Sequence, residues 1–115
     1  MARTITREEL KEKIDAVEDF VLIDVLSHES YQREHLPGAV NIPLGDIAEH
    51  AVAGIPSDKE IVVYCGSFLC TASPTAAKKL EEMGFSSVID YEGGIADWKE
   101  AGYPVEAGAK RLSQV

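Results

Sequence analysis

Two cysteines lie close together in the segment Cys65-Gly66-Ser67-Phe68-Leu69-Cys70-Thr71, with four residues between them. Cys65 ends the run Glu60-Ile61-Val62-Val63-Tyr64, which is apolar, β-branched and free of polar alternation, the pattern of a strand buried on both faces. A helical pattern follows, with Ala72, Ala76, Leu80 and Met83 on one face, Pro74 in the first turn and Gly84 placed to end it. The residues between therefore form a loop from a strand into a helix. Amides of such a loop and of the first helical turn have no helical carbonyl to bond. If the loop curls, they converge on its centre, where the helix dipole also favours an anion. A thiol at that point loses its proton more readily and becomes a nucleophile. The alternative is that Cys65 is a small, inert, buried residue closing a strand. A metal site is disfavoured, because the nearest histidine in sequence is His50 and zinc sites need four well-spaced ligands.

The elements that must hold this loop can be read on either side of it. Thr6-Arg7-Glu8-Glu9 is a capping-box pattern, and Leu10, Ile14 and Val17 continue it as a helical stripe. Phe20 to Val25 reads as a second buried strand, interrupted by Asp24. Ser30 to His35 is a short polar helix or turn, punctuated by Pro37-Gly38, and Ala39 to Pro43 is a short strand. Gly45 to Val52 suggests a short helix, Ser87 to Tyr91 the last strand, and Gly93-Gly94 a turn into a helix carrying Trp98. Whether Thr71 or Ser73 caps the central helix is open at this level. Strands alternating with helices imply an α/β fold with a parallel sheet covered on both faces, in which ligands bind at the carboxyl ends of the strands. Cys65 stands at such an end.

The chain has 115 residues, of which 45% are hydrophobic, enough for one domain with its own core. The expected division is a single domain over residues 1–105 and a loosely ordered charged tail over 106–115. The formal net charge of -9 repels phosphate backbones and anionic bilayers, so neither nucleic acid nor membrane is an expected partner. The start of the chain lacks the apolar core of a signal peptide, and no apolar run is long enough to span a bilayer. A cytoplasmic setting is the expectation. There a free cysteine is reactive or buried rather than bridged.

Several short patterns, in this order, resemble those of the single-domain rhodaneses, a sulfurtransferase family. They are Ile23-Asp24-Val25; Tyr31, then His35-Leu36-Pro37-Gly38-Ala39-Val40-Asn41-Ile42-Pro43; Val62-Val63-Tyr64-Cys65; Gly84-Phe85; and Tyr91-Glu92-Gly93-Gly94 with Trp98. The resemblance covers roughly Thr4 to Val105. It implies a rhodanese-like, five-stranded parallel sheet with helices on both faces. It also implies that Cys65 is the catalytic nucleophile carrying sulfane sulfur as a persulfide, with Gly66, Ser67, Phe68, Leu69, Cys70 and Thr71 as the substrate loop. No cofactor or metal is implied. The implied partners are a small sulfur donor and a thiol acceptor or a protein that exchanges persulfide. Oligomeric state is not legible.

Departures from the family pattern bear on the substrate. Arginine is frequent in the family directly after the cysteine, at the sixth loop position and after the early Asp-Val. Here those places hold Gly66, Cys70 and Leu26. Without a bidentate guanidinium fork, a dianion such as thiosulfate keeps only backbone amides, so weak thiosulfate use is expected. Phe68 and Leu69 offer apolar contact to a partner, or else plug the loop. Cys70 either faces Cys65, where it can receive or displace sulfur, or packs beneath the helix start. Asp24 either supports the loop or caps a turn. A non-catalytic redox-sensing or partner-binding module using Cys65 and Cys70 is the rival reading. A phosphatase or arsenate reductase of related fold is disfavoured, since it expects a longer loop and an oxyanion-clamping arginine.

Overall fold

Ile61, Val63 and Cys65 point to one face of the sheet and Val62 and Tyr64 to the other, as the two-residue period of a strand requires. A computed structural model, which describes residues 2–108, shows what covers each face. The strands are β1 (Arg3–Thr4), β2 (Val21–Asp24), β3 (Val40–Asn41), β4 (Ile61–Tyr64) and β5 (Val88–Tyr91). They form one parallel sheet in the order β1-β5-β4-β2-β3. Central β4 is fully buried, which is why its sequence shows no polar alternation.

The helices are α1 (Arg7–Asp15), α2 (His28–Arg33), α3 (Ala72–Glu82) and α4 (Gly94–Glu100). α3 supplies Ala76, Ala77 and Leu80 to the face that holds Ile61, Val63 and Cys65. Leu10 of α1, Tyr31 of α2 and Trp98 of α4 cover the opposite face around Val62 and Tyr64. The expected fold class is therefore the observed one.

Local chemistry sets the helix ends. Thr6 and Glu9 form the reciprocal capping box of α1. α3 ends in a Schellman motif: Gly84, at φ +102°, donates to Glu81 O and Phe85 donates to Leu80 O.

Two expectations need adjustment, one strand carries no sequence signal, and one expectation lies mostly outside the described residues. β1 is not evident in the sequence, because two exposed residues at a sheet edge carry no periodicity. The short helix expected over Gly45 to Val52 is instead two 3-10 turns, Leu44–Asp46 and Glu49–Val52. Val17 does not extend the α1 stripe. The helix stops at Asp15, and Val17 turns out to solvent with φ 53°. The loose tail expected from Glu106 falls largely on residues outside those described. Its first part is tied down, since Glu106 forms an antiparallel bridge with His35 and Gly108 donates to Gln32 O.

Candidate active site

β4 delivers Cys65 to the face covered by α3, and the chain then loops outward before returning to the helix. The loop is pinned from the far side by α4. Ile95 N–H donates to Cys65 O at 3.0 Å and Ala96 N–H to Gly66 O at 2.9 Å. This close approach requires Gly94, at φ +66°, since a Cβ there would lie 2.5 Å from Cys65 O. The Glu92-Gly93-Gly94 segment thus fixes the position of the cysteine loop. Within the loop, Cys70 N–H donates to Ser67 O at 3.0 Å, and Leu69 N–H donates to Ser67 Oγ.

Thr71 occupies the N-cap of α3 but makes no side-chain capping bond. The first amides of the helix remain available, and they turn to sulfur. Cys65 is fully buried and Cys70 half-buried; both are free thiols, and Cys70 packs against the core cluster that holds Cys65. Burial pushes the Cys65 thiol up, and its hydrogen bond to Cys70 adds to the rise. The Ser73 hydroxyl and amide oppose it only in part. Burial also acts against the Cys70 thiolate. There, however, the hydrogen bond from Cys65 and the N–H groups of Gly66, Ala72 and Ser73 prevail, and Cys70 lies below the ordinary thiol range.

The converging amides expected around Cys65 are shared between the two thiols: the Ser73 amide acts on both, and the Gly66 and Ala72 amides act on Cys70.

Two buried polar groups under the pair were not singled out from sequence as site residues. Ser73 Oγ has no hydrogen bond of good geometry, yet it lies within reach of both the Cys65 thiol and the Asp90 carboxyl. Asp90 pairs in register with Val63, so it shares the α3 face with Cys65. Its Oδ1 is likewise buried and unpartnered. The available signal was a carboxylate inside an otherwise apolar strand.

Asp24 takes the turn-capping role. It lies in register with Tyr64, on the face opposite Cys65. Its Oδ1 accepts from Leu26 N–H at 2.8 Å and its Oδ2 from Tyr64 O–H at 2.9 Å, while Tyr64 Oη accepts from Leu36 N–H. These bonds fix the ends of β2 and β4 without touching either sulfur. His35 is buried against Tyr31 with its rings stacked 3.8 Å apart, and its Nδ1 lies 2.8 Å from Tyr31 O.

Phe68 and Leu69, at 68% and 92% exposure, form the outer tip of the loop and do not plug it. Phe68 also edges a groove of about 480 Å³ that includes Arg7, Glu8, Glu9, Tyr91 and Glu92. The one arginine there is engaged by Glu8, Asp97 and Glu100. Among the described residues no three His, Cys, Asp or Glu side chains cluster to hold a metal, and no helix is long and apolar enough to cross a membrane.

A wound parallel sheet with a cysteine at the carboxyl end of its central strand, cradled by a strand-to-helix loop, defines a class of nucleophilic α/β domains. Within that class the chain belongs to the rhodanese-like family, whose Rhodanese-like domain description matches residues 6–101. It is 39% identical over 97 residues to the putative sulfurtransferase YtwF of Bacillus subtilis, covering 84% of this chain and 90% of that protein. It is also 39% identical over 105 residues to the HTH-type transcriptional regulator Rv0324 of Mycobacterium tuberculosis, covering 91% of this chain and 45% of that protein. Among solved structures, the BH2092 protein of Bacillus halodurans superposes with a TM-score of 0.88 at 29% identity, covering 92% of this chain and 77% of that one. The chain spans only 45% and 49% of two curated relatives, Rv0324 and the putative sulfur carrier protein YrkF of Bacillus subtilis. At family level these likenesses support a sulfurtransferase-type enzyme.

Proposed function

We propose that this domain transfers sulfane sulfur through a persulfide on Cys65 and passes it to a thiol acceptor, on a small molecule or a protein. The observation that carries this reading is a buried free cysteine, Cys65, at the carboxyl end of β4, in a strand-to-helix loop that α4 pins and a second free thiol, Cys70, closes. As the Cys65 sulfur attacks the outer sulfur of a persulfide donor R–S–SH, the Cys65 proton passes to the departing donor sulfur. The new bond joins Cys65 Sγ to the outer donor sulfur, the donor S–S bond breaks, and the donor leaves as a thiol. The loop amides then face the charge that develops on the added sulfur.

The donor is an uncharged or weakly charged persulfide in preference to thiosulfate. Gly66, Cys70 and Leu26 provide no cation, and Arg7 in the adjoining groove is committed to carboxylates. Sulfurtransferases and a sulfur carrier among the relatives fit this role. Intact-mass analysis after brief exposure to a sulfane donor tests it. One added sulfur is expected on the Cys70→Ser protein and none on Cys65→Ala. Failure of Cys70→Ser to take sulfur from any of several donors would remove the reading.

A further inference from the structure

The single cysteine needed to carry a persulfide does not explain why a second free thiol closes the same six-residue loop and packs against the core cluster that holds Cys65. Cys70 is half-buried, while Cys65 is sealed beneath the loop. Cys70 interacts with the Cys65 thiol through its side chain, and Cys65 Sγ becomes the inner sulfur once a persulfide has formed. The outer sulfur would then be the leaving group of any attack by Cys70. Three amides surround the Cys70 sulfur, and no guanidinium holds the outer sulfur in place. The apolar side chains of Phe68 and Leu69 stand out in solvent rather than between the two cysteines.

Resting on the persulfide reading above, we propose that Cys70 is a resolving thiol that makes this domain release its sulfane sulfur as hydrogen sulfide, without an external acceptor in the first turnover. Cys70 sulfur attacks Cys65 Sγ of the persulfide. A Cys65–Cys70 disulfide bond forms and the outer S–S bond breaks. The outer sulfur leaves with the bonding pair and its own proton as HS⁻, and the proton of the Cys70 thiol passes to solvent. The sulfane sulfur is reduced by two electrons, and the two cysteine thiols are oxidised to the disulfide. No other oxidant is required. The sulfide anion is a better leaving group than an alkyl thiolate, which favours this direction of cleavage. A further cycle requires a dithiol or two equivalents of a monothiol to reopen the disulfide, so the complete reaction is reduction of a persulfide to sulfide and thiol. Closing the disulfide also removes the nucleophile, and sulfur uptake stops until a reductant arrives.

The test uses the reduced 115-residue chain, freed of small thiols and given one equivalent of glutathione persulfide. Released sulfide and intact mass are measured after quenching with an alkylating agent. The wild-type protein is expected to release about one sulfide per chain above the donor-only control. It should also lose two hydrogens and resist alkylation at both cysteines. Cys70→Ser, and Cys70→Ala as a second variant, should keep one added sulfur on Cys65 and release sulfide only when a thiol is added. The proposal is overturned if wild type holds the added sulfur with Cys70 still open to alkylation, or if the sulfur is found on Cys70. If the Cys70 variants load sulfur normally while wild type releases none, the persulfide reading survives and only the resolving role falls. If no form takes up sulfur, both fall.

Discussion

At the scale of single residues, the sequence makes Cys65 conspicuous and hides what surrounds its sulfur. A cysteine ending a buried apolar run is visible in one dimension. The packing of Cys70 beside Cys65's core cluster depends on how a six-residue loop folds, and no periodicity reports that. Ser73 and Asp90 were hidden for a related reason. Their proximity to Cys65 arises from the β4–β5 register and the start of α3, both tertiary facts. Asp90 is also a thermodynamic burden on the fold. Burial raises its pKa, the nearby Glu92 charge adds to this, and the Ser73 hydroxyl offsets only part. A carboxyl raised in this way is harmless below about pH 4, where the unfolded chain also holds its proton. Stability is lost as the pH rises through its folded pKa, because the unfolded chain solvates the carboxylate better. Asp90→Asn should therefore stabilise the protein at pH 7 by roughly 1 kcal/mol, in line with relief of a poorly partnered buried group. The gain should fade towards pH 4. Urea unfolding at the two pH values checks this, and an Asn variant less stable at pH 7 would contradict it.

At the scale of elements, legibility followed burial. β2, β4 and β5 are buried runs, and the strand pattern found all three. The capping box of α1 and the glycine stop of α3 are local chemistry, and both were readable. The stretch Leu44 to Val52 lacked a strong period because its 3-10 turns are anchored by contacts with β2 and the core, such as Leu44 N–H donating to Val25 O. The end of α1 is the most informative discrepancy. Val17 N–H donates to Ile14 O and Glu18 N–H to Lys13 O, so α1 also closes with a Schellman pattern. Its left-handed position, normally glycine, holds a β-branched valine at φ 53° and 86% exposure. The side chain strains the backbone and gains almost no burial in return. Val17→Gly should raise stability by about 1 kcal/mol, read as a higher midpoint in thermal or denaturant unfolding with sulfur transfer unchanged. A lower midpoint would mean that valine restricts the unfolded chain more than it strains the fold.

At the scale of the whole molecule, the net charge of -9 and the loop without arginine act in the same direction on anionic donors. The surface field lowers their local concentration, and the site offers them no fork of donors once they arrive. These two contributions can be separated at Gly66. A Cβ there would meet no atom within 4 Å and Gly66 does not adopt positive φ, so arginine can be introduced without strain in the loop. Gly66→Arg should raise kcat/KM for thiosulfate by about tenfold, equivalent to roughly 1.4 kcal/mol from a charge-assisted bond to the dianion. For an uncharged organic persulfide the same variant should change little. Raising ionic strength separates the long-range field from the contact. Added salt should help wild type with thiosulfate by screening repulsion, and should narrow the advantage of the arginine variant by screening attraction. If Gly66→Arg gives no gain at low salt, anion binding is not what limits thiosulfate use. The limit would then lie in the protonated Cys65 thiol, and it would appear as a rate that climbs with pH for every donor tried.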